Sequence, residues 1–294
     1  MSRLVWVGSL FLAVALSFYG IELLADGLRG KAYIFAHILL TSLMFGGAYS
    51  FRTFSQSSWR TVLLVGIVAR LLLVGVSPFN THDTQRYLFD GRMVLEGVDP
   101  YLNAPDTEQF RAIYDEGFYV APEHRKYPTI YPPLALGAFT LCALAGPVGG
   151  FWLWKMLITA ASILSLWLIA LVLRNRAKEH WLVWLAWSPL ALLEVGVGAH
   201  VDALSMLGVS VLAWAMNRGL GWASSVGLSM AILAKIIPAW FLLGAVAKPC
   251  LRRSFLGAGV LTALAYGVAM ACGFSPLGSL LEFAQVWRFG SVLA

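Results

Sequence analysis

The sequence predicts an all-α polytopic membrane protein of roughly eight to nine transmembrane or re-entrant helices with one long external loop. Three observations carry that prediction. The chain of 294 residues is 59% hydrophobic and only 12% charged, with mean hydropathy +0.75, whereas about a quarter of the residues of a soluble domain are charged. Its apolar residues come in runs near the roughly 20 residues of helix that cross ~30 Å of hydrocarbon. Its twelve Trp and ten Tyr suit many membrane–water boundaries, where amphipathic rings settle. The net charge of +6 is no nucleic-acid signature, because the cations fall in short clusters between apolar runs, as in cytoplasmic loops. Cys142, Cys250 and Cys272 lie far apart in or beside apolar segments. They have neither metal-ligand nor disulfide spacing and read as small buried side chains.

Arg3 precedes the first apolar run, and no small-x-small site comes before the polar break at Glu22, so residues 4–25 read as an uncleaved first helix. Further runs cover residues 32–51, 61–76, 151–173, 181–199, 203–216, 222–247 and 255–272. Residues 131–147 open with Tyr131-Pro132-Pro133 and end in Gly-Pro-Val-Gly-Gly, which predicts a short re-entrant or interfacial helix. Lys235 and Pro238 inside 222–247 predict a broken helix pair, tolerated at membrane depth beside a polar cavity. Arg52 with Arg60, Arg174 with Arg176 and Lys178, and Lys248 with Arg252 and Arg253 mark three cytoplasmic links. That places the loop after residue 77 outside. The whole reads as a single membrane domain: N-terminal helices over 1–77, external loop over 78–128, core helices over 129–273 and an external interfacial segment over 274–294. The chain ends on the amphipathic stretch GFSPLGSLLEFAQVWRFGSVLA. Either the protein stops at an interfacial helix, or the chain is truncated before further spans.

The loop is where chemistry concentrates. Residues 78–127 hold nine carboxylates and five Lys or Arg, net −4, against +10 for the remainder. Asp83, Arg86, Tyr87 and Asp90 fall at i, i+3, i+4 and i+7, one face of a helix. The plainer reading makes Asp83 a helix cap and Arg86–Asp90 a solvated pair. Position favours function: Asp83 follows an apolar span closely, and a partly desolvated carboxylate has a raised pKa and can take a proton from a hydroxyl. The other loop carboxylates read as solvated surface. In Gly-Ala-His-Val-Asp, His200 and Asp202 lack the i, i+4 spacing of a helical metal pair and suit a phosphate and a sugar hydroxyl. Lys235, within Ala-Ile-Leu-Ala-Lys-Ile-Ile-Pro, is an ammonium in apolar sequence and so a functional candidate, with snorkelling to an interface as the alternative. Arg70 raises the same question; Glu194 is either its partner or a second wall of the site. Arg288, in Phe-Ala-Gln-Val-Trp-Arg-Phe-Gly, joins the outer face if the last span exits outward. There is no phosphate-binding Gly loop, no strand pattern and no nucleophile–base order.

FNTHDTQRYLFDGRMVLEGVDPY, YPTIYPP, GAHVDAL, AKIIP and FAQVWRFG, in that order, together resemble the GT-C class of membrane glycosyltransferases. Within it the chain is most similar to the bacterial polyprenol-phosphate-mannose-dependent mannosyltransferase family. The resemblance implies an inverting transfer of a hexose, mannose by analogy, from a polyprenyl-phosphate donor to an acceptor hydroxyl at the outer face of the plasma membrane. It implies Asp83 as catalytic base, His200 and Lys235 at the donor phosphate, and Tyr131 on the segment re-entering beside the site. Arg86, Tyr87, Asp90, Asp202 and Arg288 complete the expected substrate-binding set. No cofactor or metal is expected. The expected partners are the lipid-linked sugar, a glycan, glycolipid or protein acceptor and the bilayer, with no nucleic acid. Family members usually continue with several more helices, so a truncated or inactive polyprenyl-phosphate-binding homologue is one alternative. A membrane transporter is the other, although no internal repeat supports it.

Overall fold

Pro189 and Lys235 each interrupt an apolar run, 181–199 and 222–247. The computed structural model describes residues 6–14, 26–52, 58–78, 81–244 and 249–279, and every regular element among them is helical. These are α1 (residues 6–14), α2 (Asp26–Phe51), α3 (Ser58–Leu73), α4 (Asp83–Leu95), α5 (Arg111–Asp115), α6 (Pro133–Ala143) and α7 (Gly146–Asn175). There follow α8 (Leu182–Ala186), a π-helical segment (Leu190–Val197), α9 (Asp202–Asn217), α10 (Gly221–Ala234), a 3₁₀ segment (Ile237–Leu243) and α11 (Arg252–Ala271).

Three of these helices are long and apolar enough to cross a membrane, within Leu28–Phe51, Gly146–Asn175 and Arg252–Ala271. The bent pair Glu179–Ala186 and Leu190–Val197, kinked by 43°, makes up to four. Among the described residues these are the helices of crossing length; of the expected first helix, 4–25, only residues 6–14 are described. The other apolar runs are helical but short: α3 and α9 have 16 residues, α10 has 14 and α6 has 11. At 1.5 Å per residue that is about 17–24 Å, less than the hydrocarbon thickness of ~30 Å. α6 is the short helix expected after Tyr131-Pro132-Pro133, and 222–247 breaks at Lys235, which is extended (φ −154°, ψ 133°) where α10 stops.

The core has two main parts. Around Tyr87, Phe139 and Trp154, α4 and α6 pack on α7, with the Tyr87 and Phe139 rings stacked at 4.4 Å. Gly91 makes this approach possible, since a Cβ there would lie 2.4 Å from the Phe139 carbonyl oxygen. Around Leu40, Val65, Leu166 and Trp187, α2 and α3 pack on α7 and α8. A smaller cluster joins α9, α10 and α11 through Leu212, Leu228 and Phe255. Only 11% of the apolar window of α11 is buried, which leaves most of that helix to contact lipid.

Two buried cations satisfy the backbone where helices end. Pro189 has no N–H to offer the carbonyl four residues back, which is that of Leu185. Arg70 supplies the missing donors, with Nη2 to Leu185 O at 3.0 Å and Nη1 to Ala186 O at 2.9 Å. Its Nε donates to Ser162 Oγ at 2.8 Å and Nη1 also to Gly66 O at 2.8 Å. Glu194 is thus not the partner of Arg70. Lys155, fully buried on α7, donates to the carbonyls of Val76 at 2.6 Å and Gly196 at 2.9 Å, and of Leu73 and Val197 at 3.3 Å each. It clasps the chain after α3 to the end of the π-helical segment.

The polar loop is tied down by its own charges. Arg86 pairs with Asp90 at 2.7 Å and donates to the carbonyls of His124 at 2.6 Å and Tyr127 at 2.7 Å. Arg92 bonds Glu116 through two nitrogens at 2.7 Å and Glu96 at 2.6 Å. Asp99 accepts from the backbone N–H of Tyr101 at 2.9 Å and of Ser275 at 2.8 Å. Several carboxylates expected at solvated surface therefore hold the loop in place, because each lies beside a fixed donor. Arg86–Asp90, the supposed solvated pair, is buried.

Candidate active site

Side chains from α4, the turns before α6 and α9, the π-helical segment and α2 form one line of polar contacts. Asp83 opens α4, preceded by Thr81, whose hydroxyl accepts from the Asp83 N–H at 3.1 Å. Its Oδ2 meets His200 Nδ1 at 3.0 Å and accepts from the Tyr87 hydroxyl at 3.4 Å. Tyr131 Oη donates in turn to Tyr87 Oη at 3.4 Å, and the Tyr131 carbonyl is held by the Tyr101 hydroxyl at 2.8 Å. On the other side, His200 Nε2 faces Glu194 Oε2 at 3.3 Å. Glu194 Oε1 accepts from Tyr33 Oη at 2.5 Å and faces His37 Nε2 at 3.3 Å, both from α2. The Asp83 and His200 side chains are 28% and 20% exposed, so a substrate reaches them while most water is excluded.

The backbone bringing His200 here is unusual at each step. Glu194 lies in π-helical turns, a geometry found most often as single-turn bulges at functional sites. Gly198 leaves room for the ring, since a Cβ there would lie 2.8 Å from His200 Cδ2. Ala199 adopts φ 52°, a left-handed conformation costly for a residue with a Cβ. Trp154 Nε1 fixes the Ala199 carbonyl at 2.8 Å, and the Lys155 clasp holds the carbonyls just before it. Such strain persists only where surrounding contacts impose it.

Electrostatics reverse one expectation. Burial alone disfavours the Asp83 carboxylate, but the His200 hydrogen bond and charge, with Thr81 and His124, outweigh it and hold the carboxyl below its ordinary value. The raised pKa expected from desolvation is not found, because the cation that opposes it comes from a distant segment. Burial likewise disfavours the His200 imidazolium, yet hydrogen bonds to Asp83 and Glu194 push its pKa up to about 9. At neutral pH the pair is carboxylate and imidazolium. Burial raises the Tyr87 and Tyr131 phenols, so both remain protonated donors.

This has a consequence for stability. In the unfolded chain His200 has an ordinary pKa of about 6.5, so between that value and about 9 the folded protein binds more protons. Its contribution is complete below about pH 6.5 and is lost as pH rises through about 9. Melting temperature in detergent should therefore fall from pH 7 to pH 10, and His200→Gln should flatten that fall. An equal fall in the variant would show that other groups set it.

The remaining candidates are placed as follows. Arg86 and Asp90 are buried beside the line and hold the loop rather than opening to it. Asp202 begins α9 and pairs with Lys235 at the end of α10 at 2.5 Å, with side chains 50% and 36% exposed. Lys235 is thus a half-exposed cation at a helix break, two residues along the chain from His200 through its partner. Arg288 lies outside the described residues. Tyr33, His37 and Lys155 were missed, though a Tyr and a His at i, i+4 and a Lys within apolar runs are the signal that finds such residues. Among the described residues no group of three or more His, Cys, Asp or Glu is arranged to hold a metal ion; the His200 ring directs both nitrogens at carboxylates.

Comparison with known proteins places the chain in a family. The family model described as MptA/B family, alpha-(1->6)-mannopyranosyltransferase, N-terminal domain, matches residues 3–252, and the chain belongs to that family. It is a membrane glycosyltransferase of mannosyltransferase type. No curated protein and no solved structure matches the chain.

Proposed function

We propose that this chain, as a member of that family, moves mannose from a polyprenyl-phosphate donor to a sugar hydroxyl at the outer membrane face. Asp83 is the base. The observation that carries this reading is the Asp83 carboxylate itself, ionised, shielded, and held through Oδ2 by His200 and Tyr87 at 3.0 and 3.4 Å. An acceptor hydroxyl approaching Oδ1 gives up its proton as its oxygen attacks the anomeric carbon, and the bond from that carbon to phosphate breaks with its electron pair. The leaving group is a phosphate monoester. Cations near the site offset the charge developing on its oxygens; Lys235 and, from sequence, Arg288 take this role, while His200, its nitrogens turned to Asp83 and Glu194, contributes through its charge alone. A one-step displacement inverts the anomeric centre, so an α product requires a β-linked donor.

The outer-face assignment rests on the Lys/Arg-rich links, which belong on the cytoplasmic side. The reading is tested with purified protein, synthetic polyprenyl-phosphate mannose of either anomer and a mannoside acceptor. Transfer only from the β donor, giving an α(1→6) product, supports it; transfer from a nucleotide sugar overturns it.

Lys235 separates donor from acceptor. Lys235→Met removes the cation but also frees Asp202, so donor KM should rise about tenfold or more with acceptor KM little changed. Equal effects on both would assign the Lys235–Asp202 pair a purely structural role.

A further inference from the structure

We propose that Glu194 is a positioning residue of the transfer reaction: braced by Tyr33 and His37 of α2, it holds the His200 ring as a double donor against Asp83. This rests on the reading of Asp83 and His200 given above and adds a member from the opposite wall.

Glu194 is engaged through both oxygens. Oε1 takes Tyr33 Oη at 2.5 Å and lies 3.3 Å from His37 Nε2, while Oε2 lies 3.3 Å from His200 Nε2. His200 Nδ1 faces Asp83 at 3.0 Å. A ring with a carboxylate at each nitrogen is held as an imidazolium, because the neutral ring would turn a bare lone pair toward one of them. The second observation is the backbone: π-helical turns, a glycine with no space for a Cβ and a left-handed alanine separate Glu194 from His200. These features bend the chain back so that two residues six apart meet across their own turn.

The groups around the ring are few. Asp83 faces it from α4, with the Tyr87 hydroxyl bonded to the same carboxylate oxygen and His124 of the loop acting on Asp83. Glu194 faces it from the π-helical segment, carrying Tyr33 and His37 of α2 behind it. Asp202, nearest in sequence, is taken by Lys235. Removing the Glu194 charge therefore leaves Asp83 as the single anion on the ring. The ring then loses a proton more readily, and Asp83 loses the cation that keeps it ionised and oriented. Glu194 touches no reacting atom; it acts through His200.

The test uses the whole protein with isotope-labelled histidine, and the His200 ring signal is identified by its absence in His200→Gln. Without substrate, the His200 midpoint of the wild type should lie near pH 9. Glu194→Gln should lower its proton affinity at least about tenfold, and Glu194→Asp should restore part of it. The alkaline limb of kcat/KM should move down with it, so that Glu194→Gln loses far more transfer at pH 9 than at pH 7. An unmoved midpoint, or a loss of transfer equal at all pH values, overturns the proposal. If Glu194→Gln fails to fold, Tyr33→Phe and His37→Gln must each lower the midpoint by a smaller step, and no change in either overturns it. The titration needs no turnover, so it stands apart from the assignment of Asp83 as base, which is decided by transfer with Asp83→Asn.

Discussion

Asp83→Asn is expected to lower sugar transfer about 10²–10⁴-fold, the range associated with loss of a general base, while expression and donor binding stay close to wild type. Asn keeps the shape of the side chain and can still accept from His200 and Tyr87, whose contacts lie at 3.0 and 3.4 Å. It cannot take the acceptor proton. The amide also removes one of the two anions on His200, so the imidazolium is less favoured and its proton affinity falls. That fall, read by histidine titration, confirms that the variant disturbs the site electrostatically rather than by unfolding. Near-normal turnover with Asn at position 83 would remove Asp83 from the chemistry.

Lys155→Met should be the most destabilising single change away from the site. The methionine fills much the same space, but the carbonyls of Leu73, Val76, Gly196 and Val197 lose a common donor. A buried polar group left unsatisfied costs about 1–3 kcal/mol, and relaxation recovers part of the sum. The expected loss is about 3 kcal/mol or more, seen as a lowered melting temperature in detergent. Replacing Arg92, whose bridges to Glu96 and Glu116 are exposed, should cost about 1 kcal/mol or less. Equal melting of Lys155→Met and wild type would mean that other groups already satisfy those carbonyls.

How much of this the sequence discloses depends on the distance over which each contact acts. Hydropathy alone gives a helical membrane chain, and Pro238 after Lys235 gives the break of the run at 222–247. The crossing count is not legible from runs, because Pro189 halves an apparently continuous one and α3, α6, α9 and α10 stop short. Asp83 and His200 stand out in sequence as polar groups at the edges of apolar segments. Their contact, across 117 positions, does not, and it reverses the expected direction of the Asp83 pKa. Sequence alone leaves Glu194 between two roles because its partners Tyr33 and His37 are about 160 residues earlier. Lys155 passes unnoticed in Trp-Leu-Trp-Lys-Met because its acceptors are backbone carbonyls, which no residue pattern records.

The two buried cations also set an order of events during synthesis. Arg70 is made before Ser162, Leu185 and Ala186, and Lys155 before Gly196 and Val197, the groups each will hold. A positive side chain at mid-bilayer costs about 2.5–3.5 kcal/mol on insertion scales. The nascent chain reaches residue 184 with only part of each set made: Gly66 and Ser162 for Arg70, and Leu73 and Val76 for Lys155. Emergence of residues 185–197 supplies the rest. The segment that completes the partners of both cations is also the one that carries Glu194 and leads to His200, so a chain stalled before it lacks both the full clasp and the Asp83–His200 contact.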